Sequence, residues 1–285
     1  MKPSIEILGR EISLYSIAVG VGVILACIYI AKRSSKYGIK KDDAFYASLF
    51  GFIGLLVGGK VLYLLPRIGE MIEYLPKLTT HFELYMQYFF TSGFVFYGAL
   101  IGALLGMLIY CRKFKIPTLK LLDLAAPAIA FAHGFGRIGC FLGGCCYGIP
   151  MNPPFGMYFK HSPFVAHDVA YFPVQLVESV FLFILAAGLF VFSIKKLKNP
   201  ENADGKVLGL YIISYSVGRF ILEFFRFDEA RGFLLSLSTS QIMALLLLPV
   251  GIYFLIRKKR KPEAEVKEDT EMAIEPEVEP EVEAE

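Results

Sequence analysis

The chain has no Trp, 4 His and 5 Cys, and only 19% of its 285 residues carry charge. Those charges collect in clusters between long apolar runs, which excludes an ordinary soluble domain, where they would be spread more evenly. A cleaved signal peptide is excluded as well. Its basic residues would precede the first apolar stretch, whereas here the stronger cluster follows it. The glycines do not form a phosphate loop of the nucleotide-hydrolase kind, since no strand leads into them. Two repeated halves with paired helix breaks, the mark of many small-molecule transporters, are also missing.

What is present is apolar: 55% of residues are hydrophobic, among them 26 Phe and 16 Tyr. A helix needs about 20 such residues to cross the hydrocarbon core. Runs of that length lie at roughly 12–31, 44–65, 93–110, 119–141, 173–194, 207–226 and 240–256. The fold class is therefore all-α, a polytopic integral membrane protein of about seven spans. Lys and Arg crowd alternate loops: Lys32 to Lys41, Arg112 to Lys120, Lys195 to Lys206, and Arg257 to Lys261. The other set offers Lys2, Arg10, Arg67, Lys77, Lys160 and Arg231. By the positive-inside bias the dense set is cytoplasmic, placing the N-terminus outside and the C-terminus inside.

Residues 1–261 read as one membrane-embedded domain, and 262–285, ending EPEVEPEVEAE, as a disordered acidic cytoplasmic tail. External loops at 66–92 and 142–172 are rich in aromatics (Tyr85, Phe89, Phe90; Phe155, Tyr158, Phe159) that suit the headgroup interface. The stripe Met71, Tyr74, Leu75 and Leu78 fits either that interface or packing over helix ends. Glycines at helical spacing, Gly54, Gly58 and Gly59, then Gly98, Gly102 and Gly106, then Gly134, Gly136 and Gly139, point to close helix packing.

The informative residues are charges inside apolar runs, because an Arg at a helix centre costs on the order of 2.5–3.5 kcal/mol. They are Lys60, Arg137, Glu178, Arg219, Glu223 and Arg226. The last three, at i, i+4 and i+7, share one helical face as plus, minus, plus. Either they form a salt-bridge network closed by Glu178, or the excess of positive charge awaits an anion. Arg137 lies in the Gly-rich GRIGCFLGGCCYG, where free backbone N–H groups and a planar guanidinium suit a phosphate. His133, four residues earlier, shares its face and is either a packing residue or a base. His161 and His167 read as solvated loop residues.

Cys27 and Cys111 read as small apolar residues. Cys140, Cys145 and Cys146 cluster at one helix end. Their C-x4-C-C spacing is a poor zinc signature; a disulfide from Cys140 to either partner and free packed thiols both remain open.

Taken in order, these residues resemble the bacterial prolipoprotein diacylglyceryl transferase family from about Ser13 to Gln241. The resemblance rests on Tyr15, Gly58-Gly59-Lys60, Asp123 with Ala126-Pro127, the signature around Arg137, and Pro173-x-Gln175-Leu176 with Glu178. It continues through Arg219-Phe220, Glu223-Phe224-Phe225-Arg226, and Leu237-Ser238 with Gln241. It implies transfer of a diacylglyceryl group from phosphatidylglycerol to the lipobox Cys thiol of a prolipoprotein, at a site facing outward from the bacterial inner membrane. It implies no metal or organic cofactor, and partners limited to phosphatidylglycerol, lipobox signal peptides and membrane lipids, with no nucleic acid. Arg137, Arg219, Tyr97 and His133 are then the candidate catalytic residues. Tyr15, Lys60, Gly98, Gly136, Cys140, Gly144, Gln175, Glu178, Glu223 and Arg226 are the candidate substrate-binding residues. Two departures stand out: Tyr97 replaces the family's usual third-span His, and Cys140 replaces the signature Asn. Both leave room for another reading, a phospholipid-binding or lipid-transport protein without transferase activity.

The charge bias makes a topological prediction. A reporter active only in the cytoplasm, fused after Lys261, should be active; activity of an exported reporter at that position would overturn the assigned orientation.

Overall fold

The computed structural model describes residues 4–7, 10–69, 95–197, 204–227, 232–234 and 236–257, with isolated positions 72, 82, 83, 86 and 93. The acidic tail, most of the 66–92 loop with Tyr85, Phe89 and Phe90, and the stripe from Met71 to Leu78 lie outside these residues.

Among the described residues seven long helices follow one another: α1 (Leu14–Arg33), α2 (Lys41–Leu64), α3 (Phe96–Lys113), α4 (Thr118–Gly143), α5 (Val174–Leu197), α6 (Lys206–Leu222) and α7 (Thr239–Ile256). They coincide with the seven apolar runs to within a few residues. Six of them, all but α3, are long and apolar enough among the described residues to cross a membrane. α3, with 18 residues, rises about 27 Å at 1.5 Å per residue. Mid-helix apolar side chains such as Ile24, Val57, Ile101, Ile184 and Leu246 are more than half exposed. In water that would be a large unfavourable surface; in lipid it is the solvated one.

Short hairpins decorate the bundle. β1 (Ser4–Ile7) pairs with β2 (Arg10–Ser13), β3 (Met157–Tyr158) with β4 (Ala170–Tyr171), and β5 (Phe233–Leu234) with β6 (Leu237–Ser238), all antiparallel. Helix periodicity carries no signal for such two- to four-residue strands.

Small residues set the helix packing. A Cβ on Gly102 would strike the Gly54 carbonyl, one on Gly58 the Gly98 carbonyl, and one on Gly106 the Phe50 carbonyl. α2 and α3 therefore run antiparallel with their backbones in contact. Gly22 sits 2.7 Å, at its would-be Cβ, from the Phe135 Cβ, and Gly139 lies against Tyr15, which sets α1 antiparallel to α4. Ser179 Oγ donates to the Gly134 carbonyl at 2.9 Å, tying α5 to α4. Lys206 Nζ donates to the Leu255 carbonyl at 2.8 Å, tying the start of α6 to the end of α7. α4 is the central helix, buried along Leu121, Asp123 to Ala128, Ala130, Gly134 and Gly139.

This up-and-down connectivity sorts the chain into two ends. The starts of α1, α3, α5 and α7 and the ends of α2, α4 and α6 share one end. The Lys and Arg clusters at Lys32–Arg33, Arg112–Lys113, Lys195–Lys196 and Lys206 occupy the other. At that basic end the buried Asp123 accepts from the Gly205 and Leu208 N–H groups, each at 2.8 Å, and so caps α6.

Two substitutions probe this packing. Asp123→Ala strands those N–H groups and removes two charge-assisted bonds, and should cost about 2–4 kcal/mol. Gly102→Val forces α2 and α3 apart, and should cost about 1–3 kcal/mol. Both are read by unfolding in detergent, and wild-type stability in either variant would refute the corresponding contact.

Candidate active site

The site is built at the end opposite the basic clusters, where α4, α5 and α6 approach. α5 buries Val174, Gln175, Glu178, Ser179, Leu182, Ala186 and Leu189 along one stripe and exposes Val177, Val180, Ile184 and Val191 on the other. Glu178 lies on the buried stripe, 1% exposed, one turn into the helix. Its carboxylate is shared. Oε1 lies 3.1 Å from Arg137 Nε, and Oε2 lies 3.5 Å from Arg219 Nη1. The first contact is an ion pair without hydrogen-bond alignment, while the second donates from Arg219.

Arg219 is the more firmly held guanidinium. Its Nη2 lies 2.7 Å from Glu223 Oε2 and donates to Ser240 Oγ at 3.1 Å, so α5, α6 and α7 all grip it. Arg137 meets Glu178 through Nε, and its guanidinium hydrogen-bonds the Tyr215 side chain. Tyr215 itself contacts the His133 ring at 5.2 Å between centroids and stacks on Tyr211 at 6.1 Å. His133 is thus beside the cluster as the shared helical face required, with its ring engaged in aromatic packing.

The expectation that Arg219, Glu223 and Arg226 lie on one helical face needs correction. α6 stops at Leu222, Glu223–Phe225 tighten into a 3-10 turn, and Arg226 is extended (φ −90°, ψ 149°). The i+7 relation fails because the helix has ended. Arg226 is instead held by its backbone: it bridges Gly148, Ile149 N–H donates to the Phe225 carbonyl at 3.0 Å, and Phe227 N–H donates to Tyr147 at 3.2 Å. The strand-like segment following α4 thereby carries Arg226 back over the site, where it is buried.

The glycine signature terminates α4. Gly144 at φ +70° is the left-handed cap, with Gly144 N–H on the Phe141 carbonyl and Cys145 N–H on the Cys140 carbonyl at 3.1 Å. Ser162 Oγ donates to the Gly144 carbonyl at 2.7 Å, and Gln175 Nε2 donates to the Cys145 carbonyl at 2.7 Å. The other amide atom of Gln175, Oε1, is buried without a hydrogen-bond partner among the described residues. Gly136 has nothing within 4 Å of a would-be Cβ, which leaves open space next to Arg137. Tyr15, at the start of α1, packs across Gly139 near Arg137 and the three cysteines.

The Cys140, Cys145 and Cys146 sulfurs lie within 4.8 Å of one another, and all three cysteines are free thiols. Hydrogen bonds from the Cys140 and Cys145 thiols, and more weakly the Arg226 and Arg137 guanidiniums, pull the Cys146 thiol well below its ordinary value. The same hydrogen bonding pushes Cys145 up.

Tyr97, Gly98 and Lys60 are carried by the neighbouring α2–α3 pair at the same end. Gly98 packs against Gly58, and Lys60 Nζ lies 5.8 Å from the Tyr63 ring. Sequence reasoning missed Tyr215 and Ser240 as partners of the arginines. Tyr215, four residues before Arg219, could have been found by its helical spacing. Ser238 and Gln241, part of the family pattern, form a capping box at the start of α7: Gln241 N–H donates to Ser238 Oγ at 3.2 Å and Ser238 N–H to Gln241 Oε1 at 3.0 Å. That box fixes Ser240 opposite Arg219. A hollow under the 142–172 loop, lined by Phe141, Gly144, Phe159, His161 and Ser162 among others, contains none of the buried charges.

Two carboxylates and three guanidiniums gathered in an apolar bundle, with open space beside one of the arginines, define an integral membrane protein with a buried cluster of charges at one end. The chain belongs to the prolipoprotein diacylglyceryl transferase family, whose sequence profile matches residues 3–257. It is 41% identical over 92% of its length, and 100% of the relative's, to the phosphatidylglycerol–prolipoprotein diacylglyceryl transferase of Clostridium tetani. It is 37% identical to transferase 2 of Clostridium perfringens over 92% of the chain and 97% of that protein. The corresponding enzyme of Ehrlichia canis is 32% identical over 86% of the chain and 91% of its own length.

The shared carboxylate makes a prediction. Glu178→Gln leaves Arg137 and Arg219 facing each other without a common counter-charge and should cost about 3–5 kcal/mol in detergent unfolding. Adding Arg137→Met should recover part of that loss. Strictly additive effects would show that the two side chains are not coupled.

Proposed function

We propose that this chain transfers the diacylglyceryl group of phosphatidylglycerol to the lipobox cysteine of prolipoproteins, within the inner membrane and with its site open to the external face. The observation that carries the reading is the asymmetric use of Glu178. Arg219 meets a carboxylate at each terminal nitrogen, whereas Arg137 meets one at Nε and hydrogen-bonds Tyr215, so that among the described residues its terminal fork has no carboxylate partner. A fork of that kind matches two phosphate oxygens.

In this reading Arg137 receives the headgroup phosphate, and Arg226 adds positive charge from the strand that crosses the site. Arg219, Glu178, Glu223 and Ser240 hold the framework rigid. The acceptor thiol gives its proton to solvent, and the thiolate attacks the glyceryl CH2 carbon. A C–S bond forms as the C–O bond to phosphate breaks, and its electron pair leaves with glycerol phosphate. The charge developing on that leaving group is stabilised by guanidiniums already in place, in surroundings where such interactions are strong. Tyr15, Gln175, Gly136 and Gly144 shape the wall nearest Arg137; Lys60, Tyr97 and Gly98 supply the wall from α2–α3. In this reading residues 1–261 act as a single membrane domain.

The test uses the full chain in detergent with phosphatidylglycerol and a lipobox peptide, following the thioether adduct by mass spectrometry. The adduct should form, and Arg137→Ala should slow it by about 10²–10³-fold. Full activity in Arg137→Ala would remove the phosphate role. Lipid binding without adduct in the wild type would instead support a lipid-binding protein.

A further inference from the structure

The end of the bundle opposite the arginines carries charge of one sign. There Lys36, Lys40, Lys41, Arg112, Lys113 and Lys115 are exposed, and none of them forms an ion pair among the described residues. Asp42 and Asp43 in the first turn of α2, with Asp204, offset only part of that charge. The segment 262–285 is the counterpart. It holds ten Glu, one Asp and one Lys, a net side-chain charge of −10 in a chain whose total is +3, which leaves +13 for the other residues.

The two charge sets are joined at one place. α7 starts at the charged site, where Ser240 meets Arg219, and finishes at Ile256. The bond from Lys206 Nζ to the Leu255 carbonyl, 2.8 Å long, holds that finish beside the start of α6, at the basic end. The acidic segment begins six positions beyond Ile256 and lies outside the part matched by the family profile, which stops at residue 257. Its 24 residues span at most about 80 Å, several times the diameter of a helix, about 10–12 Å. Every loop of the basic end is therefore within reach. The tether also keeps its carboxylates beside those lysines at an effective concentration on the order of millimolar.

We infer that the acidic segment 262–285 docks on the basic end of its own chain, pairing its carboxylates with the lysines of the α1–α2 and α3–α4 turns. The consequence for the acceptor rests on the transfer reading. A signal peptide carries its basic residues ahead of its apolar stretch and its processing site after it. With the acceptor Cys at the Arg137 end, the apolar stretch runs along the bundle and the basic residues arrive at the end already crowded with lysines. Like charges there slow association and weaken it, most at low salt. The docked segment cancels most of the excess, so the acceptor meets a nearly neutral surface.

The test uses the full chain in uncharged detergent and a carbodiimide, which condenses a carboxylate with an amine in contact with it. Mass spectrometry should find crosslinks within one chain from Glu residues of 262–285 to Lys36, Lys40, Lys113 or Lys115 at low salt, and should lose them at about 0.5 M salt. They should persist in a bilayer containing phosphatidylglycerol. Absence of these crosslinks overturns the inference. So does their loss in that bilayer, which would give the basic end to lipid headgroups, or crosslinks that run to the lysines of an added lipobox peptide instead. Changing the ten Glu of the segment to Gln, from Glu263→Gln to Glu285→Gln, should raise KM about tenfold at low salt for a lipobox peptide with two Lys ahead of its apolar stretch. It should leave kcat unchanged, and leave KM unchanged for the same peptide with Gln in place of those Lys. An unaltered KM for the Lys peptide overturns the role in acceptor binding. Crosslinks in a protein that makes no adduct overturn the transfer reading and uphold the docking; a full transfer rate without crosslinks does the reverse.

Discussion

One carboxylate organises the functional end of this protein. Glu178 is almost completely buried and meets guanidiniums from two other helices. In an apolar bundle none of these charges is stable alone, because desolvation costs several kcal/mol per ion. Sharing one carboxylate between Arg137 and Arg219 ties α4, α5 and α6 at a fixed spacing. It also leaves the pair short of negative charge. Glu223 adds a second carboxylate beside Arg219, while the opening at Gly136 lies next to Arg137.

The rest of the bundle serves that spacing. Glycines let α2 pack on α3, α1 on α4 and α6 on α7, so the helices approach without intervening side chains. The capping box at Ser238 and Gln241 starts α7 where Ser240 reaches Arg219. The Gly144 cap ends α4 so that the following segment turns back across the site. There it pairs with the residues after α6 and brings Arg226 into place. The buried arginines belong to a chain whose relatives at 41% and 37% identity are named phosphatidylglycerol–prolipoprotein diacylglyceryl transferases.

Much of the site was legible in the linear sequence because charge inside an apolar run is costly and so conspicuous. Arg137, Glu178, Arg219 and Glu223 were identified on that ground and are brought together. Tyr15, Cys140, Gly144 and Gln175 followed from family resemblance, and they surround the end of α4. Glu178 was offered as closing a network with Arg219, Glu223 and Arg226, and it does meet Arg219; its sharing with Arg137 was not foreseen, since the two arginines lie 41 residues before and after it in the chain. Tyr215 and Ser240 carry no unusual signal, being ordinary polar residues in or beside helices. Arg226 misled: its i+7 spacing implied a helical face, but the helix ends before it.

The sequence alone determined the number and order of the helices, the segregation of basic residues to one end, and the family. These follow from apolar run length, loop charge and motif order, each of them a local property. The tertiary structure decided which charges neutralise one another and which arginine keeps an open fork. It also decided that three cysteines at an unfamiliar spacing become neighbours. Ion pairing and sulfur convergence depend on distances of a few ångströms between different helices and turns, and only close packing through glycines and caps sets those distances.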